Sequence, residues 1–280
     1  MRRRNSQQNL SLWSAIGLLS LFAVVPFMCM LVTTFKDSAE LYRKETTPFW
    51  YDRAPTTEHL DLLFNDTPYT TYIRNSTLVG VLVVLITLFL ALPAAYALAR
   101  LVGNWGERAG ILAFLVYLVP QTLLFIPMFR IVVALDLRNS VWALVLTYPT
   151  LTVPFCMWLL MGFFKSIPRE LEEAALVDGY NRLDAFIRVI MPLSLPGIIA
   201  VIVFTFTLTL HEFIYALVFV TSASERTLSV GVPTQLVRGD VFFWQSLLAA
   251  AFIVAIPVGL AYNFFLDRLV QGFTMGAVKG

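Results

Sequence analysis

His211 and Glu212 are a pair of adjacent ionisable side chains well inside a long apolar stretch of this 280-residue chain. Insertion scales put the cost of a charged side chain at the bilayer centre at roughly 2.5 to 3.5 kcal/mol, and such groups usually face a protein interior or a water-filled cavity. The pair therefore either lines a path for a polar solute or clamps helices together, and for Glu212 we favour the clamp. Gln121 and Asn75 are weaker candidates for the same path, because single amides commonly join membrane helices.

The other reactive side chains are too few and too scattered to predict a catalytic or metal site. His59 and His211 are far apart in sequence, and Cys29 and Cys156 lie in apolar runs with no Cys or His at ligand spacing. The chain has no phosphate-binding glycine loop, nucleophile elbow or zinc motif. We predict that it is not an enzyme and binds no metal or cofactor itself, so any uphill transport needs a partner or an ion gradient.

The composition predicts a membrane protein. Hydrophobic residues make up 58% of the chain and charged residues only 14%, whereas soluble domains carry about 25% charged residues. The formal net charge of +2 gives no support for binding to nucleic acid. Membrane lipid is therefore an expected partner, and nucleic acid is not.

Long apolar runs predict an all-α polytopic membrane protein with six transmembrane helices in a single domain, 1–280. The first run would form about 36 Å of helix, against a hydrocarbon core of about 30 Å. A signal peptide is the alternative for it, but the apolar region of a signal peptide is only about 7 to 15 residues long. The predicted spans are 12–35, 75–99, 109–135, 139–164, 198–220 and 241–266, followed by a short tail, 267–280.

An even number of spans puts both termini on the same side of the membrane. The basic start, Arg2-Arg3-Arg4, places that side in the cytoplasm by the positive-inside rule. The polar stretch 165–197 would then be cytoplasmic as well. Prolines inside the third and fourth spans, such as Pro120 and Pro154, predict either packing kinks or broken helices along a transport path, and both interpretations stay open.

The polar stretch 165–197 begins with the signals of one helix. Ser166 can cap it, Pro168 is tolerated in its first turn, and three acidic side chains suit the positive end of the helix dipole: Glu170, Glu172 and Glu173. An apolar face follows at the spacing i, i+3, i+4, made by Leu171, Ala174 and Ala175. We expect this surface helix to dock into another protein.

A second helix should follow a sharp corner. Asp178-Gly179 predicts the end of the first helix, because glycine adopts the left-handed geometry of a helix stop. Asn181 can cap the second helix, whose apolar stripe consists of Leu183, Phe186, Ile187 and Ile190. Pro192 and Pro196 predict its end before the next apolar run.

These helices carry a sequence that resembles the EAA loop of ABC importer permeases. The family pattern is EAA, three residues, Gly, nine residues and Ile-x-Leu-Pro; the chain has Glu173-Ala174-Ala175, Gly179, and then Val189, Met191 and Pro192. The stretch AAYALAR at 94–100 is similar to the end of the second helix of that family. The terminal QGFTMGAVKG at 271–280 is similar to the tail of the smaller permease subunit of maltose-type sugar importers.

The resemblance implies a type I ABC importer permease fold and an ATP-driven importer of a sugar, such as a di- or oligosaccharide, a glycoside or a polyol. The EAA loop would be the coupling helix that contacts an ATPase subunit, through Glu173, Ala174, Ala175, Asp178, Gly179 and Pro192. The tail would reach between two ATPase subunits, through Gly276, Val278, Lys279 and Gly280. The implied partners are a second, larger permease subunit, two ATPase copies that bind ATP and Mg, and an extracytoplasmic solute-binding protein.

One motif departs from the family. Where the family usually has Trp-Asn-Glu or Trp-Asn-Asp, this chain has Leu210-His211-Glu212, so no sugar contact is carried over there. Two other classes of function remain for comparison. An ion-coupled secondary transporter of small polar solutes needs internal repeats and ionisable residues in several spans, and only the fifth span carries such a pair. An integral-membrane enzyme needs a nucleophile paired with a base, which the sequence does not offer.

Overall fold

The computed structural model describes residues 6–41, 43 and 47–277, and helices form nearly all of the regular secondary structure of these residues. The exception is an antiparallel hairpin in which β1 (Val237–Arg238) pairs with β2 (Val241–Phe242). The turn between them is Gly239-Asp240, and Gly239 has a φ of 60°, as two-residue hairpin turns require. The all-α prediction is therefore correct except at this hairpin, which was not predicted from the sequence.

Four helices of the described residues are long and apolar enough to cross a membrane, and up to six spans result if each of two bent pairs counts as one. The four are Leu12–Thr34, Tyr69–Leu101, Val141–Ser166 and Trp244–Phe265. The bent pairs are Trp105–Tyr117 with Gln121–Ala134, at 89°, and Arg182–Leu193 with Leu195–His211, at 75°. These helices support the predicted membrane-type fold with four to six candidate spans.

Two of the predicted spans are interrupted in the structure. In the third, Pro120 has an extended backbone (φ −56°, ψ 124°) and separates two helices at nearly a right angle. Proline disfavours helical geometry in the residue before it, so the first helix stops at Tyr117. In the fifth, Glu212 is extended (ψ 124°), and the helix that ends at His211 resumes at Ile214.

One structural unit comprises 1–69 and 232–258. Its described helices are α1 (Ser6–Thr34), α2 (Ser38–Leu41) and α3 (Glu58–Asn65), with the hairpin and the first part of the last helix. A buried polar cluster lies after α1: Lys36 pairs with Glu40 at 3.2 Å, and Asp52 N donates to Glu40 Oε1 at 3.0 Å. A ring nitrogen of His59 lies 2.8 Å from Lys36 O, which ties α3 to the same cluster.

The other unit comprises 70–231 and 259–280. In chain order the helices that lie in or enter it are α4 (Tyr69–Tyr96) with a π-helical turn (Ala97–Leu101), α5 (Asn104–Tyr117), α6 (Gln121–Ala134), α7 (Val141–Thr147), α8 (Pro149–Ser166), α9 (Arg169–Val177), α10 (Arg182–Ala185) with a second π-helical turn (Phe186–Ile190), α11 (Met191–Leu193), α12 (Leu195–His211), α13 (Ile214–Phe219), α14 (Leu228–Leu236) and α15 (Trp244–Ala277).

Two buried apolar clusters hold this unit together. One lies at the level of α7 and α13 and includes Leu144, Tyr148 and Phe219. The other joins α4, α8 and the second π-helical turn, and it includes Ala95, Leu160 and Ile190. Helix α9 follows directly after α8, so the polar helix pair is carried at the end of this second cluster.

Candidate functional site: the helix pair and the buried polar groups

Helix α9 begins later than the sequence predicts. Ser166 does not cap it, because Ser166 is the last residue of α8 and its hydroxyl donates to Phe163 O at 2.7 Å. The chain is extended at Ile167 and Pro168, and α9 runs from Arg169 to Val177. Pro168 thus stands just before α9 and not in its first turn. Its missing N–H costs no helical hydrogen bond at this position either.

The glycine corner is confirmed. Gly179 has a φ of 93° and directly follows Asp178, at which α9 ends. Tyr180 N donates to Ala175 O at 3.0 Å and Gly179 N to Leu176 O at 3.2 Å. This pair of bonds is the Schellman motif, which satisfies the last carbonyls of a helix and favours glycine at the left-handed position.

The buried face of α9 differs from the expected one. Glu172 and Ala175 are buried, whereas Leu171 and Ala174 are exposed, so the expected face of Leu171, Ala174 and Ala175 is wrong in two of its three members. Positions i and i+3 still share a face, but that face is set by a charged residue with partners in the interior. Glu173 and Ala174 point away from the rest of the chain.

Glu172 is held by two side chains from the end of α4. Tyr96 Oη donates to Glu172 Oε1 at 2.5 Å, and Arg100 Nε lies 3.7 Å from Glu172 Oε2, the distance of an ion pair. Arg100 Nη2 also donates to two carbonyls at the end of α8, those of Phe164 and Ile167, each at 2.6 Å. This cluster was not predicted from the sequence, although Tyr96 and Arg100 stand four residues apart in the AAYALAR stretch.

The second helix of the pair is longer than predicted. Its cap is confirmed, since Asn181 Oδ1 accepts from Asp184 N at 2.9 Å. Pro192, however, does not end it: the chain is helical from Arg182 to Leu193 and bends by 75° only after Ser194. The π-helical turn Phe186–Ile190 explains this, because it shifts the hydrogen-bond pattern just before the proline and so avoids a ladder bond that proline has no N–H to make.

The apolar stripe of this second helix is split between two directions. Phe186 and Ile190 are buried, but Leu183 and Ile187 are 65% and 50% exposed. Val177, at the end of α9, is 86% exposed. Together with Glu173 and Ala174 they form an outward surface, which we call the outer face of the helix pair and define as Glu173, Ala174, Val177, Leu183 and Ile187. The same helix pair also exposes Asp178, Gly179 and Pro192.

Glu212 is buried, and the chain itself supplies its hydrogen bonds. Tyr148 Oη donates to Glu212 Oε2 at 2.8 Å. Tyr215 N donates to Oε1 at 2.9 Å and Ala216 N to Oε2 at 3.1 Å, so the carboxylate caps the first turn of α13. Its backbone carbonyl accepts from Ser229 Oγ at 2.7 Å. Glu212 therefore joins α12, α13, α14 and the junction between α7 and α8, where Tyr148 lies, at the break in the fifth predicted span.

The other three candidates for a solute path lie in different surroundings. His211 ends α12 and is exposed, and Gln121, half-buried, begins α6. Asn75 is buried and donates from Nδ2 to Ser224 O and Arg226 O at 2.9 and 3.0 Å, so it fastens the stretch before α14 to α4. Within the described part of the chain, neither Asn75 nor Gln121 forms a hydrogen bond with Glu212, and of the three candidates only His211 is its neighbour in the sequence.

Of the four tail residues predicted to contact the ATPase subunits, one lies within the described part of the chain. Gly276 lies in the last turn of α15, and Val278, Lys279 and Gly280 lie outside the described residues. Among the residues that the structure describes, there is no group of three or more His, Cys, Asp or Glu side chains that would hold a metal ion.

A known protein family matches most of this chain. The family model described as "Binding-protein-dependent transport system inner membrane component" matches residues 69–275. The chain belongs to this family. The expectation of a multi-pass protein of the inner membrane is thereby confirmed. The resemblance to permeases of sugar ABC importers is confirmed by this family together with the sugar-transport permeases among the relatives.

Known relatives of this permease match it over nearly their whole length. It is 38% identical to the sulfoquinovosyl glycerol transport system permease protein SmoH of Agrobacterium fabrum, over 95% of this chain and 92% of that protein. It is 29% identical to the trehalose/maltose transport system permease protein MalG of Thermococcus litoralis, over 94% of each.

A solved structure shows the same fold. The crystal structure of a bacterial ABC transporter involved in the import of the acidic polysaccharide alginate matches with a TM-score of 0.75. The match covers 95% of this permease and 99% of that chain at 20% identity, so the likeness is one of fold. An ABC importer permease is a transmembrane subunit, and the family description implies that it works with a binding protein and further subunits.

Proposed function

We propose that this permease passes a sugar across the cytoplasmic membrane as a subunit of an ATP-driven importer. The support for a sugar is that one relative is named for a glycoside of glycerol and another for the disaccharides trehalose and maltose. The substrate is accordingly a di- or oligosaccharide, a glycoside or a polyol. Neither His211 nor Glu212 is assigned a sugar contact, since Glu212 already bonds within the chain.

The observation that carries the proposed coupling is the outer face of the helix pair. Exposed apolar side chains such as Val177 and Leu183 stand in a polar stretch between two apolar runs, where a water-facing helix normally exposes polar residues. A partner that covers them would bury apolar area and would meet the adjacent carboxylate of Glu173. We infer that this partner is an ATPase subunit and that Glu173, Ala174, Ala175, Asp178, Gly179 and Pro192 form or support the contact.

The glycine corner explains how movement at the proposed contact would reach the membrane helices. The Schellman bonds at Gly179 fix the angle between α9 and the following helix. That following helix runs on to Leu193 and connects through the bend at Ser194 to α12. If an ATPase cleft closes around the pair, the pair moves as one body and α12 moves with it.

The remaining partners follow from the same proposal. A second, larger permease subunit completes the path, and two ATPase copies bind ATP and Mg. A solute-binding protein delivers the sugar from outside. Both termini lie in the cytoplasm, and the tail, with Gly276, Val278, Lys279 and Gly280, reaches between the ATPase subunits.

The test is co-purification and uptake with Gly179→Asp. Because Gly179 has a φ of 93°, any other residue strains the corner. A Cβ there would meet nothing within 4 Å, so the aspartate adds a charge beside the outer face without a clash. Gly239→Asp is a matched control, because Gly239 also has a positive φ and open space but lies in the hairpin. We expect Gly179→Asp to insert normally, to lose the ATPase subunits in a detergent pull-down and to abolish ATP-driven uptake, while Gly239→Asp keeps both.

Normal uptake by Gly179→Asp would refute the proposed coupling. Proton-driven uptake by the purified chain alone would instead favour an ion-coupled secondary transporter.

A further inference from the structure

We propose that Tyr96, Arg100 and Glu172, called here the Arg100 cluster, are positioning residues that transmit movement of α9 to α4 and α8. The proposal rests on the proposed function, because it assumes that an ATPase subunit moves the helix pair. It concerns the inward side of α9, which the outer face does not include.

The Arg100 cluster joins three elements at one guanidinium group. Arg100 comes from the π-helical turn after α4, and its Nη2 donates to Phe164 O and Ile167 O at the end of α8. The same side chain faces the carboxylate of Glu172 on α9, which also accepts from Tyr96 Oη. A displacement of α9 therefore pulls on both α4 and α8 through hydrogen bonds and charge.

Burial makes these contacts hard to replace with water. The side chains of Arg100 and Glu172 are only 4% and 8% exposed. Breaking a buried pair by removing one partner is strongly unfavourable, because the other charge is left uncompensated. The rings around it are also packed, since Tyr96 lies 4.5 Å from Phe186 between ring centroids. The carboxylate thus has a defined position relative to both helices of the pair.

The backbone shows why such a joint matters. Only Ile167 and Pro168 separate α8 from α9, and both are extended. The backbone ties these two extended residues to the flanking helices only through two long hydrogen bonds, Ile167 N to Phe164 O and Leu171 N to Pro168 O, each 3.4 Å. They therefore give a hinge, about which α9 would turn relative to α8 if no side chain crossed it. Arg100 binds the carbonyl of Ile167 itself and the carboxylate beyond it, which stiffens that hinge from both sides.

The two adjacent carboxylates divide the work between the two faces of α9. Glu173 is exposed and belongs to the outer face, where we propose that the ATPase subunit binds. Glu172 is buried and belongs to the Arg100 cluster. Glu172→Gln and Glu173→Gln are therefore matched variants: each removes one charge, with no change in side-chain length, from neighbouring positions of which one is buried and the other exposed.

The experiment measures sugar uptake and ATP hydrolysis in the same proteoliposomes, with the permease assembled with its partner subunits. Both rates are expressed per assembled complex, so a variant that merely folds less well lowers the yield but not the ratio of the two. For Glu172→Gln we expect ATPase subunits to co-purify as in the wild type and uptake per ATP hydrolysed to fall at least about tenfold. Tyr96→Phe, which removes one hydrogen bond and keeps the ion pair, should lower the ratio by a smaller factor.

The outcomes separate this inference from the proposed function. For Glu173→Gln we expect weaker co-purification of the ATPase subunits and an unchanged ratio in the complexes that remain. A wild-type ratio for Glu172→Gln, with or without a lower yield, would overturn the inference and leave the proposed function standing. Absence of ATP-driven uptake by the wild-type complex would overturn both.

Discussion

Removal of the Glu212 carboxylate is the sharpest test of how the interrupted fifth span is held together. In Glu212→Ala, three donors lose their acceptor: Tyr148 Oη, Tyr215 N and Ala216 N. Tyr148 and Tyr215 are fully buried, so water does not reach these groups without a rearrangement. We therefore expect loss of stability, whatever happens to transport.

The size of the effect follows from the number of donors. A buried donor left without an acceptor costs about 1 to 3 kcal/mol, so the three together cost on the order of 3 to 9 kcal/mol. Glu212→Gln keeps one carbonyl oxygen and should cost roughly 1 to 3 kcal/mol, since at least one donor then faces the new NH₂ group. For a chain of this size the larger loss corresponds to a fall in melting temperature of roughly 10 °C.

Thermal unfolding in detergent measures this order directly, and His211→Ala is the control. His211 is the exposed neighbour of Glu212, so its truncation should leave the melting temperature nearly unchanged. If Glu212→Ala melts within about 1 °C of the wild type, the three hydrogen bonds do not stabilise the break. If uptake falls under those conditions, Glu212 acts in the solute path and the clamp interpretation is wrong.

Three further perturbations test other parts of the structure. Gly106→Ala should lower the stability of the protein by about 1 to 3 kcal/mol, because the new Cβ would overlap Leu98 O in the π-helical turn. Gly162→Ala, whose Cβ would meet nothing within 4 Å, is the control in the same melting assay. Equal melting temperatures of the two variants would contradict the close approach at Gly106. Asn75→Ala removes both hydrogen bonds to 224–226 and should raise amide hydrogen exchange over 221–227, whereas no change there would mean that the stretch is held by other contacts. Acid should weaken the buried polar cluster around Glu40. The hydrogen bond from Asp52 N–H, helped by Lys36, lowers the pKa of Glu40 below its usual 4.5 by more than burial raises it. The stabilising effect of ionised Glu40 is thus complete above about pH 4.5 and lost as the pH falls through the lowered pKa, so the difference in melting temperature between wild type and Glu40→Gln should be larger at pH 7 than at pH 3, and a constant difference would refute it.

Local signals in the sequence predicted the local geometry of the helix pair. Gly179 and Asn181 act within one turn of their own positions, so the corner and the second cap need no knowledge of the rest of the chain. The broad apolar runs likewise predicted the membrane fold, because the bilayer imposes their length and composition.

Features that depend on distant partners were not predictable in the same way. Glu172 is buried because Tyr96 and Arg100 reach it from a helix more than 70 residues earlier, and its own stretch reads as a solvent-facing acidic turn. Pro192 stays inside a helical stretch because a π-helical turn precedes it, and no residue type marks such a turn in advance. Likewise, Pro127 remains inside α6 while Pro120 separates two helices, a difference that the presence of proline alone does not predict.

Glu172 is buried and its neighbour Glu173 is exposed, and this difference restricts how the sequence can change in length. Successive residues of a helix are about 100° apart, so a single residue inserted between Ile167 and Leu171 would rotate the rest of α9 by that angle. Glu172 would then occupy the outward direction, and the inward position would pass to the preceding residue, Leu171. Substitutions on the outer face alter one contact at a time, whereas an insertion or deletion here disconnects both faces at once. Related chains that work through this arrangement should therefore keep the spacing between the end of α8 and Glu172 even where the residues themselves differ.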